Sequence, residues 1–212
     1  MLKINYGTTQ DTRSYVLNTV ASKKQTQEYR VIDIGGVAGE GWTTPIADMV
    51  IDILAANTNH SLSLDICNYE SWRSLEEIVQ ANGRYDYAIC THTLEDLYDP
   101  FIALQKLPKI AKQGIITMPS IRSELSNVES QYWVGYIHHR WLFDKLGDQM
   151  LIVPKLNALE LLCDKGRFPA SQEEICYEWS EDIPYKMFMD NYLGPNVDVV
   201  IENYDRLLNN IE

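Results

Sequence analysis

The chain has 212 residues, 45% of them hydrophobic, which is enough for one domain with a substantial core and argues against disorder. Its 30 acidic residues against 18 basic give a formal net charge of −12, which disfavours a phosphate-tracking surface and hence DNA or bulk RNA as a partner. Cys67, Cys90, Cys163 and Cys176 form no CxxC pair and sit in or near apolar runs, which disfavours a zinc knuckle or a disulfide framework and fits a reducing cytoplasm.

Residues 1–6 lack the apolar stretch of a signal peptide, and no segment approaches the roughly 18 apolar residues that span a bilayer. A soluble protein without membrane insertion is therefore expected. Residues 10–28 are polar with apolar positions at Tyr15, Val16 and Val20, the pattern of a short helix. The strand predicted over residues 29–34 runs through Asp33 into Gly35-Gly36-Val37-Ala38-Gly39, where small residues let a backbone approach a bound nucleotide closely. An ordinary tight turn would use the same residues. Only residues 40–48, with Pro45 among them, lead to the next strand at 49–54, so a shortened helix or an irregular loop is expected in place of a full crossover helix.

A third strand is predicted over 61–66, and a helix over 68–80 from the spacing of Tyr69, Trp72, Leu75, Ile78 and Val79, stopped by Asn82-Gly83. A strand over 85–90, a helix over 100–112 opened by Pro100, and a strand over 114–118 follow. Beyond Pro119 come a polar loop to Gln131, an aromatic segment over 132–143, a strand over 149–154, a helix over 157–165, an antiparallel hairpin over 175–189 and a helix over 197–211. The alternation predicts an α/β, Rossmann-like, mostly parallel sheet with helices on both faces. A single domain over 1–212 is expected: an N-terminal extension (1–28), a cofactor-binding core (29–120) and acceptor-side and C-terminal elements (121–212).

Ligands of such sheets bind beyond the carboxyl ends of the strands, where Asp33, Asp52, Asp65 and His92 all fall. Asp52 lies 19 positions after Asp33, near the spacing at which a second-strand carboxylate accepts from ribose hydroxyls; a strand-end aspartate facing water has the same pattern. His92, just past the fourth strand, suits a general base for an acceptor hydroxyl, or a histidine that bonds a loop carbonyl. Glu95 and Asp96, with Glu124 and a histidine, suit a hard divalent ion; a turn-capping role is the simpler alternative. The segment Gly135-Tyr136-Ile137-His138-His139-Arg140-Trp141 concentrates histidines, an arginine and aromatics as an acceptor pocket would, although its rings equally suit a core. Arg122 joins His138, His139 and Arg140 in a local basic patch.

The stretch Tyr85-Asp86-Tyr87-Ala88-Ile89-Cys90-Thr91-His92-Thr93-Leu94-Glu95-Asp96-Leu97-Tyr98-Asp99-Pro100 resembles the fourth-strand motif of class I S-adenosylmethionine-dependent methyltransferases. The likeness extends to a methyltransferase-like branch with Asp-x-Gly-Gly, His-Thr-Leu-Glu-Asp, Pro-Ser and Gly-(Tyr/Trp)-x-His-His-Arg-Trp elements, here at 33–36, 92–96, 119–120 and 135–141, and covers roughly residues 29–155. The usual glycine motif has a glycine where this chain has Val37, whose Cβ is expected to crowd the turn, with Gly36 taking over the close approach.

The resemblance implies S-adenosylmethionine as cofactor. Asp33, Gly35, Gly36 and Gly39 would shape the methionine end of its pocket, Asp52 would hold the ribose, and Asp65 and Ile66, with Thr91 nearby, would face the adenine. It also implies His92, His138 and His139 as catalytic candidates, and Glu95, Arg122, Tyr136, Arg140 and Trp141 as acceptor-binding residues. Glu95, Asp96 and Glu124 form the candidate divalent-metal set. The expected reaction is O-methylation of a small-molecule or glycan acceptor, such as a sugar hydroxyl. A noncatalytic binding module and a nucleotide-sugar glycosyltransferase are the alternatives, and no sequence feature sets an oligomeric state.

Overall fold

Leu2, Ile4 and Tyr6 alternate with Lys3 and Asn5, the period of a half-buried strand. The computed structural model, which describes residues 2–162, 169–188 and 197–210, forms strand β1 there (Leu2–Thr8). Thr8 caps helix α1 (Thr9–Thr26) by accepting from the Asp11 amide, satisfying one of the helix's free N-terminal donors. Then come β2 (Val31–Ile34), β3 (Met49–Asp52), β4 (Ser61–Ser63), α2 (Arg73–Asn82), β5 (Tyr87–Thr91), α3 (Pro100–Ile110), β6 (Gln113–Pro119) and α4 (Ile121–Glu124). The remaining elements are β7 (Trp141–Leu146), β8 (Gln149–Pro154), α5 (Leu159–Leu162), β9 (Glu173–Ser180), β10 (Tyr185–Met187) and α6 (Val197–Asn210).

Seven strands form one sheet in the order β1-β9-β6-β5-β2-β3-β4, and β10-β8-β7 form a second. β2 pairs in parallel with both β3 and β5; from it the chain builds outward to β4 on one side and then to β6 on the other. The crevice at the carboxyl ends of β2 and β5 is thus the topological switch point, where open α/β sheets bind ligands. β9 is antiparallel to β6 and to β1, so the first strand in sequence occupies the edge of the sheet. The strand adds to the sheet a segment that the sequence pattern had assigned to an extension.

Alternate side chains serve opposite layers. Val31 and Ile89 join Val16 and Val20 of α1 in one, while Ile32, Ile34 and Cys90 face Leu104 and Leu107 of α3 in the other. The second sheet packs Leu142, Leu151 and Val153 against Val200, Tyr204 and Leu207 of α6, and turns Phe143 and Ile152 toward the main core.

Three local expectations are corrected. The strand expected over 49–54 ends at Asp52, because the Asp52 carboxylate accepts from the Leu54 amide (2.8 Å) and bends the chain into a turn. The segment 175–189 is not one hairpin: Glu181 sits at φ 67 and Pro184 follows, so the chain leaves the first sheet and β10 pairs in parallel with β8, while Met189 lies outside the described residues. The antiparallel hairpin is β7–β8 instead. Residues 40–48 form turns without a helix, as the short link between β2 and β3 requires. Cys67, Cys90 and Cys176 are buried free thiols, while Cys163 and residues 163–165 of the expected helix lie outside the described residues, as does residue 211. Among the described residues no helix is long and apolar enough to cross a membrane.

Candidate active site

The glycine turn follows β2. Gly35 has φ +80, and a Cβ there would overlap the Thr93 side chain, so glycine is needed for both conformation and close approach. A Cβ at Gly36 would overlap the Asp33 carboxylate, which is 3% exposed and accepts a hydrogen bond from Thr43 Oγ1. Burial pushes the Asp33 carboxyl up to about 6, with the Thr43 bond working the other way. Asp33 therefore underpins the turn from inside. Gly39 has φ +82, whereas Val37 is 61% exposed and is not among the positive-φ residues. The crowding expected of its Cβ does not arise, because the left-handed positions are 35 and 39.

A cleft of about 960 Å³ runs along the face of β3 and β4, lined by residues that include Gly36, Val37, Gly39, Val50, Asp52 and Ser61. Residues 40–48 provide no helix to cover this face. Asp52 Oδ1 is used by the Leu54 amide, and the second oxygen of the half-buried carboxylate remains available. Gly35, Asp65, Ile66 and Thr91 do not line the cleft. Ile66 is buried in the main core, its carbonyl accepting from the Trp72 indole, so it offers no free adenine wall. Asp65 caps its own turn through the Cys67 amide, and Thr91 is half-buried at the end of β5.

His92 follows β5 with φ 49 and is anchored by its amide on the Thr117 carbonyl (2.8 Å). Its Nε2 bonds Glu174 Oε1, and its Nδ1 lies 3.4 Å from Glu95 Oε1. Burial opposes charging this imidazole, but the hydrogen bonds and charges of Glu174 and Glu95 outweigh it and raise the group to about 9. With a carboxylate at each nitrogen, His92 is an imidazolium at neutral pH and does not take up a proton. Its folded value exceeds the ordinary 6.5, so its contribution to stability is complete below about 6.5 and is lost as pH rises through about 9. Melting curves from pH 6 to 10 are expected to show wild type losing more stability than His92→Gln across that window; parallel losses would refute the ion pair's role.

A second cluster forms around Gly135, which has φ +64 and no room for a Cβ against the Glu124 backbone and carboxylate. Glu124 is 1% exposed; it accepts from Lys155 Nζ (2.7 Å) and from His139 Nδ1 (2.5 Å). Lys155 also donates to the Tyr136 carbonyl (2.7 Å), and the Tyr136 ring lies 4.7 Å from that of His139. A carboxylate held by a lysine acts as acceptor, so His139 Nδ1 donates to Glu124 and Nε2 is turned toward Asp96. That nitrogen and His138 Nε2 each lie 3.7 Å from Asp96 Oδ1. Asp96 is tied back to the switch point, its amide donating to the carbonyl of Thr93, whose side chain fills the space over Gly35. Burial raises the Tyr136 hydroxyl, and the charges of Glu124, Glu129, Glu174 and Glu95 add to the effect.

The set Glu95, Asp96 and Glu124 is not brought together as metal ligands. Glu124 is committed to Lys155 and His139, and Glu95 is buried beside His92. Among the described residues, the ligand-type group whose atoms lie within 4.8 Å of one another is Asp96, His138 and His139. Trp141, half-buried, donates to the Leu97 carbonyl, meets Phe101 edge-on at 5.4 Å and packs against the main core. Arg140 contributes its amide to the Glu95 carbonyl and leaves its side chain exposed, while Arg122, exposed on α4, acts electrostatically on Tyr6. Sequence reasoning missed Glu174, Lys155 and Thr93. Glu174 lies on the distant strand β9 and Lys155 just after β8, and neither carries a local signal, whereas Thr93 stood inside a recognised motif.

No protein-family model matches the sequence, and no curated protein matches it. Among solved structures, the chain is similar to magnesium protoporphyrin IX methyltransferase (ChlM) from Synechocystis PCC 6803 with bound SAM, at 13% identity and TM-score 0.38, over 80% of this chain and 78% of that one. It is similar to a putative RNA methyltransferase from Pyrococcus horikoshii at 17% identity and TM-score 0.34, over 84% and 87% of the two chains. A third similarity is to MycE methyltransferase from the mycinamycin biosynthetic pathway, in complex with Mg, SAH and mycinamycin VI, at 10% identity and TM-score 0.39, over 90% of this chain and 54% of that one. Likenesses this shallow carry nothing about activity or substrate. On its own strand order, with β2 central, the switch point between β2 and β5 and the antiparallel β9, the chain has a mixed α/β fold with a mostly parallel sheet and a small second sheet.

Proposed function

We propose that this protein binds S-adenosylmethionine at the turn formed by residues 35–39 and transfers its methyl group to an oxygen of a small polar acceptor, such as a sugar hydroxyl. The observation that carries the proposal is the juxtaposition at the switch point: Thr93 packs on Gly35, and Asp96 just beyond it meets His138 and His139. Cofactor turn and acceptor cluster are therefore neighbours. In the reaction the acceptor oxygen attacks the sulfonium methyl, a C–O bond forms as the C–S bond breaks, and the hydroxyl proton passes to the cluster. A hydroxyl is a weak nucleophile until that proton is drawn away, which gives the Asp96, His138 and His139 cluster a task that His92, engaged by Glu174 and Glu95, does not perform.

Val37 lines the cleft and is exposed, so a module that has lost its cofactor stays the alternative that ligand binding decides. Titration calorimetry with S-adenosylhomocysteine, S-adenosylmethionine and a nucleotide sugar separates the alternatives. Binding of the first two is expected, and Asp52→Ala is expected to weaken S-adenosylhomocysteine by about 1–3 kcal/mol through lost ribose hydrogen bonds. Unchanged affinity in a folded Asp52→Ala protein would remove Asp52 from the ribose site. Binding of the nucleotide sugar alone would overturn the methyl-transfer proposal.

A further inference from the structure

We propose that Asp96, His138 and His139 form a binding site for a divalent transition-metal cation, and that vicinal hydroxyls of the acceptor occupy its open positions. The acceptor half of this proposal rests on the methyl-transfer reading; the cation half stands on the geometry alone. The two Nε2···Oδ1 separations of 3.7 Å exceed hydrogen-bond length, so the three groups surround a gap instead of closing on one another. Donors bound to one cation at about 2.1 Å lie roughly 3–3.5 Å apart in octahedral or tetrahedral geometry, so each imidazole need approach Asp96 by only a few tenths of an ångström, and all three ligand atoms already lie within 4.8 Å of one another. The two rings lie 4.4 Å apart at 74°, so they approach the gap from different directions.

The support behind the ligands points the same way. His139 is aimed by a buried carboxylate on its other nitrogen, the arrangement that orients metal-binding imidazoles, and Lys155 in turn fixes that carboxylate. Glu95, next in sequence to Asp96 and 1% exposed, has its carboxylate 3.4 Å from His92 Nδ1, and its second oxygen is without a hydrogen-bond partner. Glu129 interacts electrostatically with both His138 and His139, so an acidic group outside the buried ion pairs faces the cluster. His139 is buried while Asp96 and His138 are exposed, which leaves the remaining coordination positions open to a ligand. Two imidazoles and one carboxylate suit zinc, cobalt, iron or manganese better than magnesium, which prefers oxygen donors. One Asp96 oxygen ligates, and the other remains to accept the hydroxyl proton.

The test uses the full chain stripped of metal and titrated with Co²⁺, Zn²⁺ and Mg²⁺ without cofactor or acceptor. One Co²⁺ or Zn²⁺ site is expected, weakened at least roughly tenfold in His138→Ala and Asp96→Asn and roughly 10–100-fold in Glu124→Gln, with Mg²⁺ much weaker than either. His138 is exposed, so His138→Ala keeps the test available if Glu124→Gln does not fold. Absence of saturable Co²⁺ and Zn²⁺ binding at millimolar concentration, or affinity unchanged in both His138→Ala and Asp96→Asn, would overturn the site. A protein that binds Co²⁺ but not S-adenosylhomocysteine would retain the cation site and lose the methyl-transfer reading.

Discussion

Glu124→Ala is expected to lower the stability of the fold by about 3–5 kcal/mol, the cost of removing one member of a buried ion pair. The carboxylate is 1% exposed and is shared by Lys155 and His139, whose side chains are 9% and 6% exposed. Its loss leaves a largely buried lysine charge with one carbonyl, Tyr136. The space vacated lies against Gly135, whose backbone already approaches Glu124 too closely for any Cβ. Denaturant unfolding measures the loss directly. Adding Lys155→Met to Glu124→Ala is expected to recover part of it, because the stranded charge is gone; a single-variant loss below about 1 kcal/mol would contradict the account of this cluster.

His139→Gln is expected to reduce methyl transfer by about 10²–10⁴-fold while leaving S-adenosylhomocysteine affinity unchanged. The amide retains a donor for Glu124 but cannot offer the Nε2 lone pair, whether that pair meets the hydroxyl proton directly or through a cation. His92→Gln is expected to act less on the chemical step, since the imidazolium there is an ion-paired support between Glu95 and Glu174. Single-turnover rates with a saturating acceptor separate the two variants. A larger loss for His92→Gln than for His139→Gln would reverse the assignment.

The central sheet was legible because its strands are buried on both faces and read as short β-branched runs punctuated by glycine and proline. β1 was equally legible in principle: Leu2-Lys3-Ile4-Asn5-Tyr6 alternates with period two, although only a distant partner, β9, makes that pattern a strand. β10 shows the limit, since neither its three residues nor their spacing indicates a choice between two sheets, and the turn at Glu181 and Pro184 decides it. The histidine-rich segment stood out, but its chemistry did not. That His92 is held between carboxylates and His139 is aimed by a buried one depends on Glu174 and Glu124, which only the folded chain brings to them. Ile66 and Trp141 show a related limit: both stand at motif positions, and only the fold shows Ile66 in the main core and Trp141 packed against it.

A crystal structure with S-adenosylhomocysteine bound tests the central claim most directly. The ribose is expected within hydrogen-bond distance of the free Asp52 oxygen, the chain through the sulfur is expected to cross residues 35–39, and the sulfur is expected to face Thr93 with Asp96, His138 and His139 beyond it. A ligand bound away from the switch point, or a sulfur directed away from that cluster, would contradict the account.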